Sequence, residues 1–105
     1  MTYKTKIEKD VKTISISGSI DKLDNFELRR EFLPLNRFSK ICVDLTDVVF
    51  LDSGFVNLMT ELRRMDDEEV SRIVLVNPNE NISELFRMLA LEETVEIEEK
   101  GGNKI

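Results

Sequence analysis

Lys40-Ile41-Cys42-Val43-Asp44-Leu45-Thr46-Asp47-Val48-Val49-Phe50-Leu51-Asp52-Ser53-Gly54-Phe55 is the stretch on which the reading of the fold turns. Residues 40–45 form a short apolar run, which predicts a strand buried on both faces. Val48 to Leu51 continues as an extended segment, and a helix starts at Ser53 or Gly54. Phe55, Leu58, Met59 and Leu62 then recur at i, i+3, i+4 and i+7, a stripe that faces a core. Asn57, Glu61 and Arg64 fall on the exposed side of that helix.

Upstream, residues 3–7 and 11–17 alternate in character and are rich in β-branched side chains, with Lys9-Asp10 between them. They predict an antiparallel hairpin whose second strand closes at Gly18. Asp21 or Asp24 can cap a first helix that runs to about Leu33, where Pro34 stops it. Downstream, Ile73-Val74-Leu75-Val76 reads as a second buried strand, closed by Asn77-Pro78-Asn79. Asn81 and Glu84 resemble a capping box, and Ile82, Leu85, Phe86 and Leu89 repeat the helical stripe. Thr94 to Ile97 makes a last edge strand, and residues 100–105 read as a loose tail. The order β-β-α-β-α-β-α-β describes an α/β fold: a mixed sheet of about five strands, mostly parallel beyond the opening hairpin, covered by about three helices. At 105 residues the chain is expected to be one domain.

Composition narrows the chemistry. There is no histidine, which removes Ser-His-Asp and Cys-His nucleophile pairs, His proton shuttles and His-containing zinc sites. The formal net charge of −6 argues against nucleic acid or an anionic membrane as the main partner. Nine bases and six acids lie in residues 1–40, against six and fifteen in residues 41–105. Much of that acidic excess sits in Asp66-Asp67-Glu68-Glu69 and around Glu92 to Glu99, as solvated charge or as a face for a basic partner. The single Cys42, inside an apolar run, is expected to be a small buried hydrophobe. No stretch reaches the ~20 apolar residues of a membrane span, and the N-terminus lacks a signal-peptide pattern. The expectation is a cytoplasmic protein without direct membrane insertion.

Chemistry in parallel sheets gathers at the carboxyl ends of the strands and the following helix N-termini. Asp52-Ser53 stands at such a point. Ser53 can be a plain N-cap, accepting a backbone N–H bond from the first turn. Alternatively it is a phosphate acceptor, since a helix N-terminus tolerates an anion while the surface gains about −1.5 to −2 charges. Asp52-Ser53-Gly54 is not the G-x-S-x-G nucleophile elbow, and the chain contains neither a Walker A nor a G-x-G-x-x-G motif. No catalytic residue, metal or cofactor is expected.

Four stretches resemble the STAS domain of bacterial anti-sigma-factor antagonists. Ile16-Ser17-Gly18-Ser19-Ile20-Asp21 resembles the family's G-x-L-D segment before its first helix. Val43 to Ser53 resembles its D-L-S-x-V-x-F-x-D-S signature. Val74 to Pro78 is similar to the strand and turn that follow, and Ile82 to Leu91 to the family's third helix. The resemblance implies a protein-binding switch without catalysis of its own. Unphosphorylated, it would bind an anti-sigma factor that is itself a serine kinase; phosphorylation would release it and a serine phosphatase would restore it. The family carries two hydroxyls before the glycine, whereas Asp52-Ser53-Gly54 carries one. With one residue deleted in the loop, the stripe Phe55, Leu58 and Met59 aligns with the family's core positions and Ser53 becomes the acceptor. Asp21, Asp44, Asp52, Ser53, Gly54 and Asn57 are the expected switch and partner surface. Many relatives also end in a fourth helix, for which Thr94–Ile105 shows no amphipathic pattern. The alternative within the same fold is a constitutive scaffold or small-ligand sensor of a transporter or signalling complex, with Ser53 only a cap.

Overall fold

The computed structural model describes residues 1–65 and 71–99. Strand β1 (Thr2–Glu8) turns at Lys9, whose φ is 57°, and pairs antiparallel with β2 (Val11–Ile20). Helix α1 (Lys22–Phe32), strand β3 (Lys40–Leu51), helix α2 (Ser53–Met65), strand β4 (Arg72–Val76), helix α3 (Glu80–Met88) and strand β5 (Glu96–Glu98) follow. The sheet order is β1-β2-β3-β4-β5, with every pair after the first parallel. This is the mixed sheet and helix order expected from the hydrophobic pattern. Short 3-10 turns at Leu35–Arg37 and Leu91–Glu93 were not legible in that pattern.

Because the strand order never reverses, right-handed crossovers place all three helices on one face of the sheet. One continuous core results. Ile14, Ile16, Ile41, Val43, Leu45, Ile73 and Leu75 from the sheet meet Leu28 and Phe32 of α1, Phe55 and Met59 of α2, and Ile82 and Phe86 of α3. Phe55 and Phe86 stack with ring centroids 6.2 Å apart.

The opposite face corrects two expectations. Strand β3 is buried on the helix face only; Cys42 and Asp44 on the other face are half-buried, so Cys42 is not a sealed core residue. Complete burial of an apolar strand is found in β4 instead, from Ile73 through Val76.

Gly18 does not end β2. With φ at 88° it sits within the strand, beside one of two register shifts against β3. The shifts add residues to β3, so its inward side chains after Leu45 are Val48 and Leu51, three apart instead of two. At the first shift, Asp44 Oδ1 accepts hydrogen bonds from Thr46 N (3.0 Å) and Thr46 Oγ1 (2.6 Å).

Helix α3 begins before the expected Asn81–Glu84 box. Asn79 is its N-cap: Oδ1 accepts from Ile82 N at 2.8 Å, and Nδ2 donates to Val48 O at 3.2 Å, tying α3 to β3. The same helix stops at Met88, which leaves Leu89 as an exposed C-cap and not a member of the core stripe. Along α1, Lys12 Nζ and Tyr3 Oη both donate to Glu31, which ties β1 and β2 to the helix. The bond to Glu31 pushes the Tyr3 pKa up to about 12. The acidic run Asp66 to Glu69 and the expected tail 100–105 lie outside the described residues.

Candidate functional site

The pairing of Ile20 with Leu51 brings the ends of β2 and β3 level. Asp21 and Asp52, one residue further on, therefore start α1 and α2 side by side. The two starts are chemically distinct. In α1, Asp21 Oδ1 accepts from Asp24 N at 2.9 Å and Asp24 Oδ2 accepts from Asp21 N at 3.0 Å, a reciprocal capping box. The backbone N–H of Asp24 stabilises the Asp21 carboxylate and lowers its pKa below the ordinary 3.8.

In α2 the third helical position is Phe55, fully buried in the core, so no acid can close a box there. Asp52 caps alone: its Oδ1 accepts from Gly54 N at 2.9 Å and its carbonyl accepts from Phe55 N at 3.1 Å. Ser53 is thus the first residue of the helix and not its cap. It is exposed, and its hydroxyl makes no hydrogen bond among the described residues. Neither Asp52 nor any other described carboxylate accepts a hydrogen bond from that hydroxyl, so no general base engages it in this arrangement. It is an accessible hydroxyl at the positive end of a helix, where a phosphate is well tolerated.

Ser53 and Gly54 border a groove of about 360 Å³ between α1 and α2, whose walls include Lys22, Asn25, Phe26 and Asn57. Arg29 of α1 and Glu61 of α2 form an ion pair across the same groove. Gly54 is closely approached by its neighbours. A Cβ there would lie 3.0 Å from Asn25 Nδ2 and 3.0 Å from Asp52 Oδ1. Leu23 and Phe26 on α1, each 78% exposed, and Val49 and Phe50 near the end of β3 leave apolar surface around these helix starts.

Of the expected site residues, the fold gathers Asp21, Asp52, Ser53, Gly54 and Asn57 at this one end. Asp44 is not among them. It pairs with Ser15, five residues before Ile20 on β2 and so roughly 17 Å away at about 3.3 Å per residue, and closes the strand's irregularity. The residues that sequence reasoning missed are Lys22, Asn25 and Phe26. One signal was present: Asn25 shares the i, i+3, i+7 stripe with Leu28 and Phe32, a polar residue on a buried face. Among the described residues, no group of three or more His, Cys, Asp or Glu side chains is placed to hold a metal ion. None of their helices is long and apolar enough to cross a membrane.

A family model described as "Mlab, STAS domain" matches residues 4–98. The chain belongs to the STAS family. Its fold recurs in solved anti-sigma factor antagonists. One, from Mycobacterium paratuberculosis, superposes with a TM-score of 0.78 at 18% identity, covering 92% of this chain and 84% of the other. The Bacillus cell fate determinant SpoIIAA in its phosphorylated form gives 0.70 at 17% identity, covering 91% and 90%. A Thermotoga maritima protein gives 0.80 at 20% identity, covering 94% and 87%. At these identities the likeness concerns the fold. No sequence among the curated proteins matches this chain.

Proposed function

We propose that this STAS domain is a protein-binding switch of the anti-sigma-factor-antagonist type, modified at Ser53. The observation that carries the reading is the unbonded, exposed Ser53 hydroxyl at the first position of α2, with the capping duty taken by Asp52. In the unmodified state the end of the molecule around Asp21, Asp52, Ser53, Gly54 and Asn57 binds an anti-sigma factor that is also a serine kinase. The Ser53 oxygen attacks the γ-phosphorus of ATP held by that kinase, ADP departs, and the hydroxyl proton passes to a base of the kinase. A serine phosphatase reverses the change by hydrolysis. The added charge sits beside the Asp21 and Asp52 carboxylates, so the local field turns strongly negative while the helix start remains satisfied. The domain itself performs no catalysis in this reading and works in the cytoplasm.

The test is to incubate the full chain with its cognate kinase and ATP and to map the product by mass spectrometry, alongside partner binding by Ser53→Asp. Phosphate on Ser53 and at least a tenfold weaker complex for Ser53→Asp are expected, with thermal stability unchanged. An active kinase that leaves Ser53 unmodified, together with undiminished binding by Ser53→Asp, would instead establish a constitutive STAS scaffold.

A further inference from the structure

The groove between α1 and α2 holds one side chain for which the rest of the fold has no use. Asn25 is 8% exposed, and neither its Oδ1 nor its Nδ2 has a hydrogen-bond partner among the described residues. Buried amides in native proteins are almost always paired, so an unpaired one on a stripe with Leu28 and Phe32 calls for an explanation. Capping does not supply it, because Asp21 and Asp24 already close the start of α1. Nor does packing, since an apolar side chain would fill that stripe without the unmet polar atoms.

Its position is informative. The amide nitrogen lies beneath the first turn of α2, 3.0 Å from where a Gly54 Cβ would stand, and Gly54 directly follows Ser53. Lys22, one helical turn before Asn25, lines the same groove, as does Ser53 itself. The groove therefore combines a helix N-terminus, a buried amide donor, one nearby ammonium and open volume beside a free hydroxyl.

We propose that this groove is the seat of the phosphoryl group once Ser53 carries it, with Asn25 Nδ2 donating to a phosphate oxygen and Lys22 facing the charge. The inference rests on the reading of Ser53 as acceptor and adds where the group goes. An amide suits the task better than a second cation, because it fixes the phosphate without cancelling the charge that repels a partner. The modified state then differs from the free one in two ways: the surface is more negative, and the groove that a partner side chain could enter is filled.

The experiment uses the full chain with phosphoserine incorporated at position 53 during translation, so that no kinase is needed. The side-chain NH₂ resonances of Asn25 are compared with those of the unmodified protein, and the phosphate is titrated by ³¹P NMR. The expected result is a displaced Asn25 NH₂ pair and a second phosphate ionisation that lies lower in the wild-type chain than in Asn25→Ala or Lys22→Gln. Each substitution removes a donor or a cation from the phosphate while Asp21 and Asp52 stay, so each should raise that ionisation. Unmoved Asn25 signals, with a titration indifferent to both substitutions, would mean a phosphate directed into solvent and would overturn the seat. The kinase assay on Ser53 is separate: modification there with no Asn25 response removes the seat alone, whereas a responsive Asn25 with an unreactive Ser53 removes the switch reading.

Discussion

Helices α1 and α2 start side by side at the same end of the sheet, yet one start is closed and the other open. At α1 the first three helical positions are Lys22, Leu23 and Asp24, none of them in the core, so Asp24 is free to complete the box with Asp21. At α2 the corresponding positions are Ser53, Gly54 and Phe55. The core claims Phe55, Asn25 of the neighbouring helix crowds position 54, and Ser53 alone faces out with its hydroxyl unspent. The core thus leaves Asp52 to cap α2 alone, and Ser53 keeps an exposed hydroxyl with no hydrogen bond among the described residues. The same contrast explains why Asp44 is a strand-shaping residue: its oxygen is already committed to Thr46.

The largest effect is expected where the two starts differ most in space. Gly54→Val drives a branched side chain against Asn25 and Asp52, and should cost about 2 kcal/mol by urea denaturation, within the usual range for overpacking. Leu23→Val at the equivalent place in α1, 78% exposed, should change stability by less than ~0.5 kcal/mol. Equal losses at the two positions would break the comparison.

Next comes the lone cap of α2. Asp52→Ala removes the acceptor for Gly54 N and should cost about 1 kcal/mol, a drop in Tm of roughly 4–8 °C for a domain of this size.

Acid should separate the two starts differently. The folded-state pKa of Asp21 lies below the ordinary 3.8 because of the Asp24 N–H, and that of Glu31 below the ordinary 4.5 because of the bond from Lys12. Each contributes stability that is complete above its unfolded value and is lost as pH falls through its folded value. Hydrogen exchange at the α1 start should therefore quicken as pH falls below about 4, relative to its intrinsic rate, and Asp21→Asn should blunt that response.

The smallest effect belongs to Ser53→Ala. Since Asp52 is the cap, the substitution should shift stability by less than ~0.5 kcal/mol in thermal denaturation while abolishing modification. A loss near 1 kcal/mol would return Ser53 to a capping role.

Much of this was legible in residue order. The apolar periods of Phe55, Leu58, Met59 and Leu62 placed a helix starting at Ser53 or Gly54, and α2 begins at Ser53, because helix burial repeats every 3.6 positions whatever lies opposite. The Asp21 capping box is equally local, and it too can be read from one short segment. Reading failed wherever a neighbouring strand or helix intervened. Burial of β3 on one face only follows from a strand order that sends every crossover to the same side, which no stretch of β3 encodes. The irregular spacing after Leu45 depends on pairing with β2, and the start of α3 depends on the reach of Asn79 to Val48.

The sequence by itself determined the elements, their order and the presence of a hydroxyl at a helix start, since those rest on periodicity and local capping chemistry. Only the tertiary structure decided that Ser53 is unbonded, that Asp44 stands apart from it, and that an unpaired Asn25 lies beneath Gly54. Which groups find partners, and which are left without one, is settled by how helices pack across a sheet, and packing joins residues that the chain keeps far apart.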